Sequence, residues 1–160
     1  KEWTDRASAM AIPGAVAFTQ FAKEKGIDVF YISNRKTEEL SSTLKNLQEL
    51  GFAYADSVHL LLKSDTGNKT ERRKKVQKTY KVILMLGDNL SDFDAVFDDR
   101  GNDYGFSLVD ENQGKFGKEF IVLPNPMYGD WEKPILKIIE GEVTPEMKRK
   151  VLSRSIKGYE

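Results

Sequence analysis

The stretch KVILMLGDNLSDFD, Lys81–Asp94, constrains the fold of this 160-residue chain more than any other. Its apolar run Val82–Leu86 stops at Gly87, and the loop beyond carries Asp88, Asn89, Ser91, Asp92 and Asp94. A continuous hydrophobic run ended by a turn reads as a strand buried on both faces, and such strands belong to parallel sheets. In open α/β sheets ligands sit beyond the carboxyl ends of the strands. Two carboxylates four residues apart on a Gly-led turn there suit a hard cation such as Mg²⁺. They also suit an Asx-rich turn, in which Asp and Asn only cap the next helix. The segment alone leaves both readings open.

Lys+Arg and Asp+Glu both number 25, so no global field favours a nucleic acid polymer or an anionic membrane. The absence of cysteine removes disulfides, thiolate metal sites and thiol nucleophiles. His59 is the only histidine, which rules out a multi-histidine zinc site; within the apolar segment Val58–Leu62 it reads as structural. No apolar stretch approaches the ~20 residues of a membrane span. The chain opens at Lys1 without an initiator Met or signal peptide, as a processed or truncated sequence would.

Punctuation and periodicity lay out alternating helices and strands. Pro13-Gly14 opens a helix with Ala15, Phe18, Phe21 and Ala22 at helical spacing and Gly26 as its stop. Asp28–Ser33 is β-branched and aromatic, a strand by composition. Thr37 is placed to cap a helix bearing the stripe Leu40, Leu44 and Leu47 and ending at Gly51. Val58–Leu62 is the next strand, followed by a polar loop, Ser64–Lys69, and a basic helix near Thr70–Tyr80. That helix reads as a solvated face, from which Arg72 or Arg73 could still turn inward toward an anion. Beyond Val82–Leu86, a Gly/Asp-rich region leads to a strand at Phe120–Leu123 and a helix near Trp131–Gly141. A last helix starts at Thr144-Pro145, Thr as N-cap and Pro at the first position. The alternation predicts an α/β fold, a parallel sheet with right-handed crossovers.

In such a sheet the strand ends lie on one edge. The first of three strands delivers Ser33, Asn34 and Arg35, the second Lys63, the third Asp88 and Asp92. A hydroxyl and backbone N–H groups can bind phosphate oxygens, an ammonium can face a developing phosphoryl anion, and Asp88 can hold Mg²⁺ opposite.

The series YISNR (Tyr31–Arg35), LLLK (Leu60–Lys63), GDNLSDF (Gly87–Phe93) and LPNPMYGDWE (Leu123–Glu132) resembles the class C, lipoprotein-type acid phosphatases and 5′-nucleotidases. These belong to the haloacid dehalogenase (HAD) superfamily, and the likeness runs from Pro13 to Glu132. It implies a Rossmann-like parallel sheet flanked by helices, with a small helical cap that includes residues 1–12. It implies that Ser33 is the second-motif hydroxyl and Lys63 the third-motif lysine. Asp88 is then the fourth-motif metal ligand, with Asp92 as a further metal or catalytic carboxylate beside it. The expected activity is Mg²⁺-dependent hydrolysis of small phosphomonoesters, nucleoside 5′-monophosphates among them, through an aspartyl-phosphate. The expected location is a bacterial surface or periplasmic lipoprotein, and a homodimer is left open.

The resemblance has one gap. The family's first motif, an aspartate nucleophile followed two residues on by an acid-base aspartate, lies on a strand before all of this. Residues 1–12 hold only Asp5, in a polar helical context. An upstream segment of the same protein is therefore expected to supply the central strand and nucleophile, and residues 1–160 alone are expected to be inactive. Trp3 and Tyr128 are candidates for gripping the leaving group, though Tyr128 equally suits packing of its loop; Trp131 reads as packing. A second reading is a non-catalytic surface protein of the same fold that retains an anion or nucleotide site. An upstream strand ending in Asp-x-Asp separates the two.

Overall fold

The computed structural model describes residues 2–125, 129, 131–137 and 141–155, which fall in two compact units, Lys1–Tyr80 and Lys81–Glu160. The first unit runs α1 (Glu2–Asp5), α2 (Ala15–Glu24), β1 (Tyr31–Lys36), α3 (Leu40–Leu50), β2 (Leu60–Lys63) and α4 (Thr70–Gln77). Strands β1 and β2 pair in parallel. Two glycines end its longer helices in the same way. At the end of α2, Gly26 (φ 70°) lets its own N–H reach Lys23 O at 3.0 Å and the Ile27 N–H reach Ala22 O at 2.9 Å. At the end of α3, Gly51 (φ 81°) repeats this with Gln48 O and Leu47 O, both at 3.0 Å. Only glycine takes that left-handed conformation without a Cβ penalty, and it satisfies the last helical carbonyls.

Three local expectations for this unit shift. The strand expected at Asp28–Ser33 starts at Tyr31 and continues to Lys36. Residues before Tyr31 have no ladder partner; the ring of Phe30 instead packs on His59 and Tyr80, with centroids 4.8 Å away in each case. The strand expected at Val58–Leu62 starts at Leu60. The Asp56 carboxylate captures the N–H groups of Val58 and His59 at 2.8 and 3.0 Å, so a local turn takes the donors a ladder would need. Thr37 does not cap α3. A 3₁₀ turn, Thr37–Glu39, intervenes, and the Glu39 carboxylate accepts the Lys36 N–H at 2.7 Å.

The leucine stripe of α3 is half-buried, while Thr43 and Asn46 on the same helix are buried. Asn46 brackets Ala9, accepting its N–H at 3.2 Å and donating to its carbonyl at 3.1 Å. The N-terminal segment is thus fastened by paired polar groups, which bury without a desolvation penalty. His59 is structural, as expected. Its Nδ1 bonds both Asp56 oxygens at 2.8 and 2.9 Å, between the rings of Phe30 and Tyr54.

The second unit runs β3 (Met85–Gly87), α5 (Phe106–Glu111), β4 (Phe120–Val122), α6 (Glu132–Leu136) and α7 (Pro145–Ser155). Strands β3 and β4 pair in parallel, Met85 opposite Phe120 and Gly87 opposite Val122. Residues 82–84, expected within the strand, lie outside the ladder, whose first bond is Met85 N–H to Glu119 O at 2.7 Å. The core is aromatic: Phe93, Phe97 and Phe120, with Met85, Leu90, Leu108, Val109 and Phe116 against them. Phe93 and Phe120 stack at 5.1 Å, and Phe116 meets Phe120 edge-on at 5.6 Å, geometries that suit the ring quadrupoles. Helix α6 packs on α7, where the half-exposed Lys148 lies 2.6 Å from Glu132. Thr144 caps α7 as expected, accepting the Met147 N–H at 3.2 Å. No described helix is long and apolar enough to cross a membrane.

The Asp56 carboxyl is held below the usual carboxylate range, first by the His59 side chain and then by the two backbone N–H groups it accepts. A depressed carboxylate stabilises the fold above its unfolded pKa, and the effect fades as pH falls through the folded value. Asp56→Ala should therefore melt at a lower temperature than the parent near neutral pH. The gap should narrow below about pH 4, as thermal melts across a pH series would record.

Candidate active site

Residues Ser33, Asn34 and Arg35 occupy an irregularity in the β1–β2 ladder. Pairing runs Tyr31–Leu60 and Ile32–Leu61, then resumes at Lys36–Lys63. Three residues of β1, 33–35, thus lie between paired positions that only Leu62 separates on β2, an irregularity of the bulge kind. Bulges re-aim side chains and end pairing next to functional sites. Within this one, the Arg35 N–H donates to Ser33 Oγ at 3.2 Å, so the Ser33 hydroxyl proton remains for another acceptor. Lys63 closes the ladder opposite Lys36 and is half-buried.

The basic helix contributes more than a solvated face. Arg73 is buried and donates to Thr70 Oγ1 at 2.8 Å. Arg72 turns to the bulge, donating to Ser33 O, to Asn34 Oδ1 at 2.6 Å, and to the carbonyls of Asn68 and Gly67 at 3.3 and 3.4 Å. Burial, then the neighbouring charge of Arg73, pulls the Arg72 pKa down. The inward turn expected of one of these arginines thus meets neutral oxygens of the protein. Arg35 lies with its guanidinium carbon 5.4 Å from the Trp3 ring centroid and donates to Thr43 Oγ1 at 3.2 Å. Trp3 is 59% exposed, so the first unit brings an open indole beside the segment bearing Ser33. Tyr128 lies outside the described residues.

In the second unit, the loop after β3 closes on itself at Gly87. A Cβ there would stand 2.5 Å from the Asp92 Cβ and 2.8 Å from its Oδ2. That carboxylate accepts the Asp88 N–H at 3.2 Å. Asp88 is exposed, and its Oδ2 accepts from Asn125 Nδ2 at 2.6 Å. Asn89 is buried and its side chain gathers the loop: Oδ1 accepts from Ser91 N and Oγ at 3.3 and 3.0 Å, and from Arg100 Nη2. Arg100, also buried, donates through Nε to Phe97 O at 3.3 Å.

Asp88 and Asp92 therefore differ in kind. Asp88 presents an exposed carboxylate with one oxygen on Asn125, whereas the half-buried Asp92 uses one oxygen to close the turn. The described residues contain no group of three or more His, Cys, Asp or Glu able to hold a metal. Mg²⁺ does not need one: it keeps several waters and binds through one or two carboxylates plus substrate phosphate. The donors present fit that ion. Sequence reasoning missed Arg100 and Asn125 as site residues, and offered Arg72 only as one of two arginines that could turn inward toward an anion. Asn125 stood inside the LPNPMYGDWE match, but nothing in the spacing of the two arginines singles them out.

Residues 1–131 match the family described as HAD superfamily, subfamily IIIB (acid phosphatase). The chain belongs to this family. It is also similar to the solved class C acid phosphatase from Bacillus anthracis, at 37% identity and a TM-score of 0.90. The same identity and TM-score hold for that enzyme's crystal structure with tungstate bound. The chain is covered over 99% and spans about two thirds of those structures, 66% and 67% of their lengths. The HAD acid phosphatase fold expected from the motifs is thus the fold of this chain.

The tight approach at Gly87 gives a direct test of the subfamily IIIB loop. Gly87→Ala should push Asp92 off the Asp88 N–H and cost about 1–3 kcal/mol by overpacking. Denaturant melts would measure the loss, and amide chemical shifts at Asp88 would report the broken contact.

Proposed function

We propose that this protein is an Mg²⁺-dependent phosphomonoesterase, an acid phosphatase acting on nucleoside 5′-monophosphates and similar small esters. The observation that carries the reading is the likeness to the class C acid phosphatase from Bacillus anthracis along 99% of the chain. That enzyme's complex with tungstate, a tetrahedral oxyanion, adds support for a phosphoryl site. The donor set described above suits the same chemistry.

The Ser33 hydroxyl and bulge N–H groups donate to phosphoryl oxygens, and Lys63 places a positive charge against the anion that develops in the transition state. Asp88 would hold Mg²⁺, with Asp92 fixing the turn behind it; the ion supplies further positive charge to the phosphoryl oxygens. The nucleophile is an aspartate outside this sequence. Its carboxylate attacks phosphorus, the alcohol departs with a proton, and water then cleaves the aspartyl-phosphate. Trp3 and Tyr128 remain the candidates for gripping the base of a nucleotide, and export to a bacterial surface is part of the same proposal.

In the full-length protein, p-nitrophenyl phosphate should be hydrolysed and EDTA should abolish the reaction. Asp88→Asn should reduce kcat by on the order of 10²–10³-fold, the scale of losing one strong transition-state contact. Activity within twofold of the parent at saturating Mg²⁺ would remove Asp88 from the site. The nucleotide preference is tested separately. Stacking is worth about 1–3 kcal/mol per base whatever the base, so Tyr128→Ala should weaken kcat/KM for purine and pyrimidine nucleotides alike. A small aliphatic phosphate ester should be unaffected; equal losses on both would leave Tyr128 a packing residue.

A further inference from the structure

Arg72 is the side chain that joins the segment carrying Ser33 to the loop that follows Lys63. One guanidinium meets four acceptors: Ser33 O and Asn34 Oδ1 at 2.6 Å in the bulge of β1, and Asn68 O and Gly67 O at 3.3 and 3.4 Å beyond β2. The contact is close. A Cβ on Gly67 would lie 3.5 Å from Asn34 Nδ2, ordinary van der Waals contact, so the loop and the bulge touch here without crowding. The need for such a clamp follows from the ladder. Pairing ends at Ile32–Leu61 and resumes only at Lys36–Lys63, so residues 33–35 have no regular strand partner to fix them. Residues 64–68, directly after Lys63, are exposed and lie outside the regular elements. A misplacement of about 1 Å in a catalytic group costs on the order of 10²-fold in rate, so segments without regular pairing need another contact to hold them.

We propose that Arg72 is a positioning residue that locks the Ser33–Arg35 bulge onto the 64–69 loop, presetting Ser33 and Lys63 for the phosphoryl group. The assignment rests on the phosphatase reading for its consequence and on hydrogen bonds alone for its geometry. Its acceptors are backbone carbonyls and a carboxamide, none of them charged, so the guanidinium acts here as a planar fork with five donors. A lysine keeps the charge and loses the fork. The hydrogen bonds described for Arg72 all go to protein atoms.

Two measurements on the full-length protein test this. In Arg72→Ala, amide hydrogen exchange should accelerate together in residues 33–35 and 64–69 and stay unchanged in 85–93. On p-nitrophenyl phosphate, kcat should fall at least about tenfold with KM within about threefold, the signature of a contact that matters in the transition state. Millimolar guanidinium should restore part of that rate, and Arg72→Lys should remain impaired. Unchanged exchange in both segments would overturn the clamp. Accelerated exchange with unchanged kcat would overturn the positioning role, as would full activity in Arg72→Lys. A parent protein without phosphatase activity would sink the proposed function instead, and the exchange pattern would still decide whether Arg72 binds the two segments together.

Discussion

A loop that carries chemistry is polar, and it has no apolar face with which to anchor itself to a core. Hydrogen bonds must therefore fix its shape, and where its oxygens are buried they need donors inside the protein, because leaving them unpaired and desolvated costs about 1–3 kcal/mol each. Both units meet this constraint with a guanidinium. In the first, Arg72 serves Ser33, Asn34 and the loop after β2; in the second, Arg100 serves Asn89 and the carbonyl of Phe97. Arginine suits the task because its donors are spread in a plane, so one side chain reaches several oxygens at fixed angles. The aromatic core of Phe93, Phe97 and Phe120 supports the second loop from below. Its shape, though, comes from the polar contacts above.

The element order was legible in the sequence because it depends on punctuation and periodicity. Gly26 and Gly51 stop their helices where the pattern places them, and Thr144 caps the last one. The strand boundaries were less legible, for a reason visible in the residues. Asp28–Phe30 has strand composition, but composition does not provide a partner, and the matching stretch near Val58 is taken up by the Asp56 turn. A strand starts where two chains can pair, which is a property of both. Burial on α3 is likewise not given by the apolar stripe alone. Leu40, Leu44 and Leu47 form the apolar stripe, yet Asn46 is the more deeply buried residue because Ala9, far away in sequence, saturates its amide.

The candidate site was legible at the level of atoms and illegible at the level of aim. The motifs named Ser33, Lys63, Asp88 and Asp92 from their positions after strands. The different standing of the two aspartates required the approach of Asp92 to Gly87, where no Cβ fits, and the bond from the Asp88 N–H. No spacing rule separates a carboxylate that closes a turn from one that faces outward. The arginines were harder still. Arg72 sits in a run of seven basic residues between Lys69 and Lys81, and only its reach across 39 residues of sequence to Ser33 distinguishes it from its neighbours.

The two units also divide the chemistry by sign. Around the β1 bulge, the groups that face outward or inward are donors and cations: the Ser33 hydroxyl, Arg35, Lys63 and Arg72. Acceptance of the Arg35 N–H by Ser33 Oγ matters here, since it occupies a lone pair and commits the hydroxyl proton to a partner elsewhere. After β3 the exposed group is a carboxylate, Asp88, steadied by the amide of Asn125. A phosphomonoester dianion wants donors on its oxygens, and a divalent cation wants carboxylate oxygen with room for water. One half of the chain therefore has the inventory for the anion and the other for the metal. A single module binding anions would need only the first of these. Each inventory is organised around an arginine of its own unit, Arg72 in the first and Arg100 in the second, and the proposed phosphatase reading calls on both.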